Sequence, residues 1–341
     1  MGLRVKWVDY AKAFSIFFVV LLHAGIPDPV KGVIRVFLIP LFFFLSGIFS
    51  NPQKYPNYSA FIKQRGIKIL IPYFFFNVIT YLFWVFIGSH FGLDSNSEIN
   101  YLQALSGIFY GTSGLLKHYV PLWFLACLFS VESIYYIAFR KIKTVQWRLI
   151  LTFLFGVLGY INYSFNSYPL PWNIDIALSM IVFYSIGSLA QALTCSRQIK
   201  GFGNIYIVLV SFALVFLMFK INAEVKVFIN YYGNYLYFFI GAFAGILFSI
   251  SILKIIDMYF KPIKFLQFIG ENTLIILVLH LISGSIVKAI SFYIFHLPLS
   301  IYEIIWVKLL YAILSIVLLV PVILFFNKYL PFIVGKPKVK S

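Results

Sequence analysis

The sequence has little charge, and negative charge is especially scarce. Only 11% of its 341 residues are charged and only 10 are acidic, whereas 62% are hydrophobic and the mean hydropathy is +0.95. A soluble domain has about a quarter of its residues charged, so this composition excludes an ordinary soluble protein. The two cysteines, Cys127 and Cys195, stand alone, without the spacing of a metal or redox motif. The composition therefore indicates a membrane protein.

The net charge of +17 raises the question of a nucleic-acid partner. The basic residues do not form one basic region; they lie in short clusters between apolar runs. Orientation signals of membrane proteins have this distribution. We therefore expect the membrane lipid, and no nucleic acid, to be the partner of these charges.

Apolar runs long enough to span a bilayer recur along the whole chain. A helix needs about 20 mostly apolar residues to cross the hydrocarbon, and runs of this length are too long for barrel strands. The sequence predicts an all-α polytopic membrane protein with about ten transmembrane helices in one integral-membrane domain over residues 1–341. The predicted spans are 8–26, 33–50, 67–88, 118–139, 147–163, 174–193, 203–220, 233–253, 270–294 and 303–326.

The connections between these spans alternate in charge. One set holds 20 of the 27 basic residues, whereas the other holds few cations and the acidic residues Asp28, Asp94, Glu98 and Glu224. Positive connections stay in the cytoplasm. The alternation therefore predicts a multi-pass protein of the cell (inner) membrane with both termini cytoplasmic, which agrees with an even number of spans.

The first span carries two polar residues on one face. Lys12 and His23 in "DYAKAFSIFFVVLLHAG" are eleven residues apart, a rise of about 16 Å and close to three helical turns. Such a stripe should face the bundle interior or a cavity, which favours a functional role for both. Alternatively, Lys12 is a snorkelling anchor and His23 an interfacial histidine bonded to a nearby carbonyl.

Other polar residues in the spans allow two interpretations each. Asp175 lies at a depth similar to His23 and could orient a catalytic imidazole, or it is an acid at a helix N-terminus. Glu132 lies inside span four and needs a partner that the sequence does not identify. His280 is as well explained by a structural hydrogen bond as by a site.

Two further groups lie at the predicted mouths of the bundle. Lys63, Arg65 and Lys68 form an inner cluster that suits the topology and would also bind a phosphate-bearing donor. Outer aromatic residues, Trp123 and Trp172, could stack on a sugar or belong to the interfacial belt. His118 lies at the same outer interface as Trp123. The five histidines form no His-x-x-His or Cys/His cluster, so no metal is predicted.

Five segments in order resemble the membrane acyltransferase-3 family. They are "VDYAKAFSIFFVVLLHAG", "FLIPLFFFLSGIF", "RGIKILIPYF", "PLWFLACLF" and "GENTLIILVLH". The likeness is greatest to the fucose O-acetylase-like subgroup, whose signature matches Leu122-Trp123-Phe124-Leu125 and Leu128-Phe129 here. The resemblance implies ten helices and an enzyme that moves an acyl group, often acetyl from cytoplasmic acetyl-CoA, to an extracytoplasmic or lipid-linked sugar. No permanently bound cofactor is expected, because acyl-CoA is a co-substrate.

The resemblance also assigns roles to individual residues. On its first helix the family has a basic residue and a histidine with ten residues between them. Lys12 and His23 match this pattern, with Lys where Arg is common. This implies that His23 is the catalytic histidine, as a base or as an acyl carrier. The family's Arg-x-x-Arg pair maps to Arg65 and Lys68, and Lys at the second position lacks the bidentate fork of Arg.

Two rival functions remain compatible with the sequence. A transporter or exporter of a surface glycan or lipid-linked sugar would also have ten spans and many interfacial aromatic residues. It would move its substrate without acyl-CoA and without His23 as a base. A non-catalytic membrane scaffold would tolerate alanine at Lys12 and His23.

Overall fold

A computed structural model describes residues 6–90, 100–166, 168–195 and 202–336. Within these residues the chain forms thirteen α-helices joined by short 3₁₀ turns and loops, and no strand beyond one isolated bridge. The helices are α1 Lys6–His23, α2 Asp28–Ile48, α3 Tyr58–Phe86, α4 Tyr101–Tyr110, α5 Trp123–Phe139, α6 Val145–Phe165, α7 Ile174–Cys195, α8 Ile205–Ile221, α9 Tyr235–Tyr259, α10 Lys264–Glu271, α11 Thr273–Tyr293, α12 Ile305–Leu318 and α13 Val320–Tyr329.

The predicted all-α membrane architecture is confirmed. Among the described residues, eight helical segments are long and apolar enough to cross a membrane. Two predicted spans fall outside that set: α1 carries Lys6, Asp9 and Lys12 within its 18 residues, and α8 has only 17 residues. The number of ten spans and the cytoplasmic position of both termini stay predictions.

The third helix begins nine residues before the predicted span, at Tyr58 rather than at residue 67. The side chain of Asn57 caps it by accepting a hydrogen bond from the backbone N–H of Ala60 at 2.8 Å, which satisfies one of the free N–H groups of the first turn. The basic residues of the inner cluster therefore lie on the same helix as the apolar span. Pro72 inside this helix has no N–H to donate to the carbonyl of Lys68.

Two predicted spans are each divided into two helices. The run 270–294 is interrupted at Asn272, between α10 and α11. The run 303–326 is interrupted at Leu319, between α12 and α13, two residues before Pro321, which cannot continue the hydrogen-bond ladder. Within the polar connection 89–117, the structure adds the short helix α4, which ends at Gly111 in the left-handed conformation (φ 79°).

Contacts within the chain define two compact units, and the single domain over 1–341 stays a prediction. The first unit comprises Met1–Asn51, Val182–Val227 and Tyr231–Val320. In this unit α1 packs against α2, α9, α10 and α11, and α9 packs against α8. The second comprises Pro52–Ile181, Phe228–Asn230 and Pro321–Ser341, and in it α3 packs against α4, α5 and the turn Pro331–Val334.

A reciprocal pair of glycines fixes one helix crossing in the first unit. The backbone carbonyl of Tyr184 on α7 lies where a Cβ on Gly47 of α2 would be, and the carbonyl of Phe44 lies where a Cβ on Gly187 would be. Small residues allow two helix backbones to approach this closely. Gly47 and Gly187 therefore allow α2 and α7 to pack backbone to backbone.

Candidate functional site

His23 is the last residue of α1 and its side chain is exposed. Its Nδ1 lies 2.8 Å from the backbone carbonyl of Val19, one turn earlier. A carbonyl only accepts hydrogen bonds, so Nδ1 carries the proton and Nε2 has the free lone pair. Among the described residues none forms a hydrogen bond with Nε2, so this nitrogen is available to take a proton or to attack a carbonyl.

A second histidine, His280 of α11, lies beside His23 in the same unit. The two ring centroids are 4.8 Å apart at an interplanar angle of 64°, and Nε2 of His280 lies 3.3 Å from Nδ1 of His23. His280 is buried, with 2% of its surface exposed. The two rings thus form an imidazole pair of which only His23 reaches the surface.

Lys12 lies nearer the start of α1 and is half-buried. Its Nζ is 4.6 Å from the ring centroid of Phe49, the residue that follows α2. A lysine over an aromatic face gains a cation–π attraction, which holds the ammonium group within this unit. The structure confirms that Lys12 and His23 share one continuous helix, while their roles in catalysis stay predictions.

In the second unit, Arg65 of α3 forms a bidentate ion pair with Glu132 of α5. Nε donates to one carboxylate oxygen and a terminal nitrogen donates to the other. The side chain of Glu132 is 4% exposed and that of Arg65 is 22% exposed. Arg65 is therefore the partner that a buried Glu132 requires, and this pair uses two of its five N–H donors.

The other two basic residues of the inner cluster lie on the same helix but are differently placed. Lys63 and Lys68 are both exposed, and no acidic side chain within the described ranges forms an ion pair with either of them. Their ammonium groups are accordingly able to bind an anionic ligand, whereas the guanidinium of Arg65 is already paired with a carboxylate.

His118 is held by Asn77 in the second unit. The amide nitrogen of Asn77 donates to the carbonyl of Tyr73 at 2.9 Å, so its oxygen accepts from Nε2 of His118 at 3.0 Å. Nδ1 of His118 is buried and has no hydrogen-bond partner in the described part of the chain.

Trp172 lies in an unusual turn in front of α7. Trp172 and Asn173 both have positive φ, 58° and 54°. The amide of Asn173 donates to the carbonyls of Gly111 and Trp123, at 2.7 and 3.3 Å, and the hydroxyl of Ser130 donates to the carbonyl of Trp172 at 2.8 Å. These bonds stabilise a backbone conformation that is rare outside glycine.

The remaining predicted site residues lie close to this turn. Trp123 is only 5% exposed, which favours a packing role over stacking on a ligand. Asp175, in the first turn of α7, is buried, and one of its carboxylate oxygens has no partner among the described residues. It belongs to the second unit, whereas His23 belongs to the first, and the expected pairing of Asp175 with His23 stays a prediction.

Each unit contains one contact whose partner the sequence alone did not identify. Glu132 is 67 residues from Arg65, and His280 is 257 residues from His23. For Glu132, the sequence did indicate that a basic partner exists, because a buried charge needs an opposite charge. For His280 the indication was weaker, since a histidine inside an apolar run shows only that some polar neighbour exists.

Comparison with known proteins gives one match. A family model described as an acyltransferase domain, acyltransferase 3, matches residues 5–328. No curated protein and no solved structure shows significant similarity to the chain. The matched region includes every candidate residue described above.

Proposed function

The chain belongs to the acyltransferase-3 family, and we propose that this membrane acyltransferase moves an acetyl group from cytoplasmic acetyl-CoA, or another acyl-CoA, to a sugar hydroxyl of a surface or lipid-linked glycan. The observation that carries the proposal is the unpaired Nε2 of His23 at the end of the first helix. A neutral imidazole with a free lone pair is the side chain best suited to accept a proton near pH 7.

Two routes of transfer use this nitrogen. In the first, Nε2 takes the proton of the sugar hydroxyl while the hydroxyl oxygen attacks the thioester carbonyl; the CoA sulfur then leaves and receives the proton from the imidazolium. In the second, Nε2 attacks the thioester carbonyl, the C–S bond breaks, and CoA leaves as the thiolate. The sugar hydroxyl then attacks the acyl carbon, the acyl–nitrogen bond breaks to restore the imidazole, and the hydroxyl proton passes to the thiolate. Either route gives an ester and free CoA.

For the donor side, we propose that the exposed Lys63 and Lys68 bind the CoA phosphates. Arg65 belongs to the same cluster, and two of its five N–H donors bind the buried Glu132 carboxylate, so a phosphate there would share the guanidinium with that carboxylate. Lys12, on the same helix as His23, would lie toward the cytoplasmic side of the membrane, where the donor binds. No cofactor is bound permanently in this scheme.

For the acceptor side, the proposed residues are Trp172, Trp123 and His118, with Asp175 as a positioning acid for His23. Trp172 is the more accessible of the two tryptophans. The likeness to the fucose O-acetylase-like subgroup makes a surface sugar the expected acceptor class. The scheme requires an inner-membrane protein with cytoplasmic termini, because the donor is cytoplasmic and the glycan is on the opposite side.

The test uses purified protein in proteoliposomes with radiolabelled acetyl-CoA and a lipid extract of the host. Wild type is compared with His23→Ala and with His296→Asn, which removes an exposed histidine of a loop and keeps a residue that tolerates its positive φ. We expect label to enter a glycan or glycolipid with wild type and His296→Asn, and a loss of at least 100-fold with His23→Ala.

Equal transfer by a well-folded His23→Ala protein would remove His23 from the chemistry. No transfer by wild type, together with movement of a labelled sugar-lipid across the bilayer, would replace the proposal with the transporter function.

A further inference from the structure

We propose that His280 is a positioning residue that holds the imidazole of His23 in the tautomer and orientation needed for acyl transfer. The inference rests on the proposed function of His23 and adds to it a residue from a helix more than 250 positions away in sequence. Its basis is the geometry of the two rings and of the three backbone carbonyls that they meet.

The hydrogen bonds of His280 fix its own tautomer. Its Nδ1 lies 3.1 Å from the carbonyl of Ile276 and 2.9 Å from that of Leu277. Both partners only accept, so Nδ1 of His280 carries the proton and, in the neutral ring, Nε2 is an acceptor. This acceptor lies 3.3 Å from Nδ1 of His23.

The acceptor of His280 in turn selects the tautomer of His23. With its proton on Nδ1, His23 donates to Val19 and shares that proton with His280. With its proton on Nε2, the lone pair of Nδ1 would face two acceptors, the Val19 carbonyl and Nε2 of His280. Buried acceptors left facing each other are costly, so the pair favours the tautomer in which Nε2 is free to react.

The surroundings of His280 make it a rigid support. The ring is 2% exposed, and the next polar residue of α11, Ser283, donates to the carbonyl of Ser315 at 2.9 Å on the neighbouring helix α12. The buried ring of His280 therefore has little freedom to move, and it restricts the rotation of the His23 ring that packs against it. His23 itself, at the exposed end of α1, has no comparable enclosure.

The test compares His280→Leu with His280→Gln. Glutamine can place an amide oxygen near the position of Nε2 and thus keep an acceptor for His23, whereas leucine fills the space without one. We expect His280→Leu to lower kcat at least 10-fold with KM for acyl-CoA changed less than 2-fold, and His280→Gln to recover most of the loss. Elution from a sizing column and the unfolding temperature in detergent show whether each variant is folded.

A second readout does not depend on activity. In protein labelled with ¹⁵N-histidine, the signals of His23 are assigned by their absence in His23→Ala, and their shifts report which nitrogen carries the proton. We expect the Nδ1–H tautomer in wild type and His280→Gln, and a populated Nε2–H tautomer in His280→Leu. His296→Asn is the matched control and should change neither readout.

The outcomes separate the two proposals. Wild-type kcat in folded His280→Leu, or an unchanged tautomer of His23 in that variant, would overturn the role of His280 and leave the acyltransferase function standing. If wild type transfers no acyl group, the proposed function fails, and the tautomer comparison alone decides whether His280 orients His23.

Discussion

At the scale of single residues, the carboxylate of Glu132 compensates the charge of Arg65 in a largely buried position. We predict that Glu132→Gln, which leaves the guanidinium without its counter-charge, lowers the free energy of unfolding by about 3 kcal/mol, the lower end for a broken buried pair because Arg65 is partly exposed. Thermal unfolding in detergent micelles measures this loss.

The double variant Arg65→Gln/Glu132→Gln provides the control for this prediction, because it removes both charges and allows an amide–amide hydrogen bond. It should be more stable than Glu132→Gln alone. Lys63→Gln, which removes a lysine of the same helix that forms no ion pair with a described acidic residue, should change stability by less than about 0.5 kcal/mol. Equal losses in all three variants would contradict the assignment.

How far the sequence predicts the site depends on how local each contact is. The spacing of Lys12 and His23 on one helix follows directly from the period of 3.6 residues, and the structure confirms that helix. The bond of His23 to the carbonyl of Val19 is equally local. The Arg65–Glu132 pair and the two imidazoles depend on which helices become neighbours, which no local pattern specifies.

At the scale of helices, the crossing of α2 and α7 depends on the absence of two side chains. We predict that Gly187→Val, which would place methyl groups against the backbone of Phe44, lowers the free energy of unfolding by about 1–3 kcal/mol, as for other overpacked cores. The comparison is Gly66→Ala on α3, where an added Cβ would meet only Leu70 Cδ1 at 3.6 Å.

In that comparison alanine should leave stability unchanged or raise it by up to about 1 kcal/mol, because glycine is a poor helix former. The unfolding temperatures of wild type, Gly187→Val and Gly66→Ala in the same detergent measure both effects. A Gly187→Val protein as stable as wild type would show that the two backbones can separate without cost.

The positions of helices were easier to predict than their ends. Apolar length predicts each span because lipid leaves the backbone no other partner. The ends are determined by caps and prolines. Asn57 caps α3 before the apolar run begins. The run 303–326 is apolar throughout, yet its helix is interrupted at Leu319, two residues before Pro321.

At the scale of the whole molecule, the distribution of positive charge predicts the sidedness of the connections. Single cysteines placed at Lys261 and at Leu299, in a Cys127→Ala/Cys195→Ala background, test it, since both positions are exposed. We expect an impermeant maleimide to label position 299 in intact cells, because that connection has few cations, and to label position 261 only after permeabilisation. Labelling of position 261 in intact cells would reverse the predicted orientation.

The reciprocal glycine crossing also has a consequence for synthesis of the chain. Gly187 follows Gly47 by 140 residues, and at roughly 5–20 residues per second the ribosome needs about 7–28 s to produce the second partner after the first. During that interval Gly47 cannot make its contact with the backbone of α7. The crossing is therefore a late event of assembly, made after more than half of the chain has been synthesised.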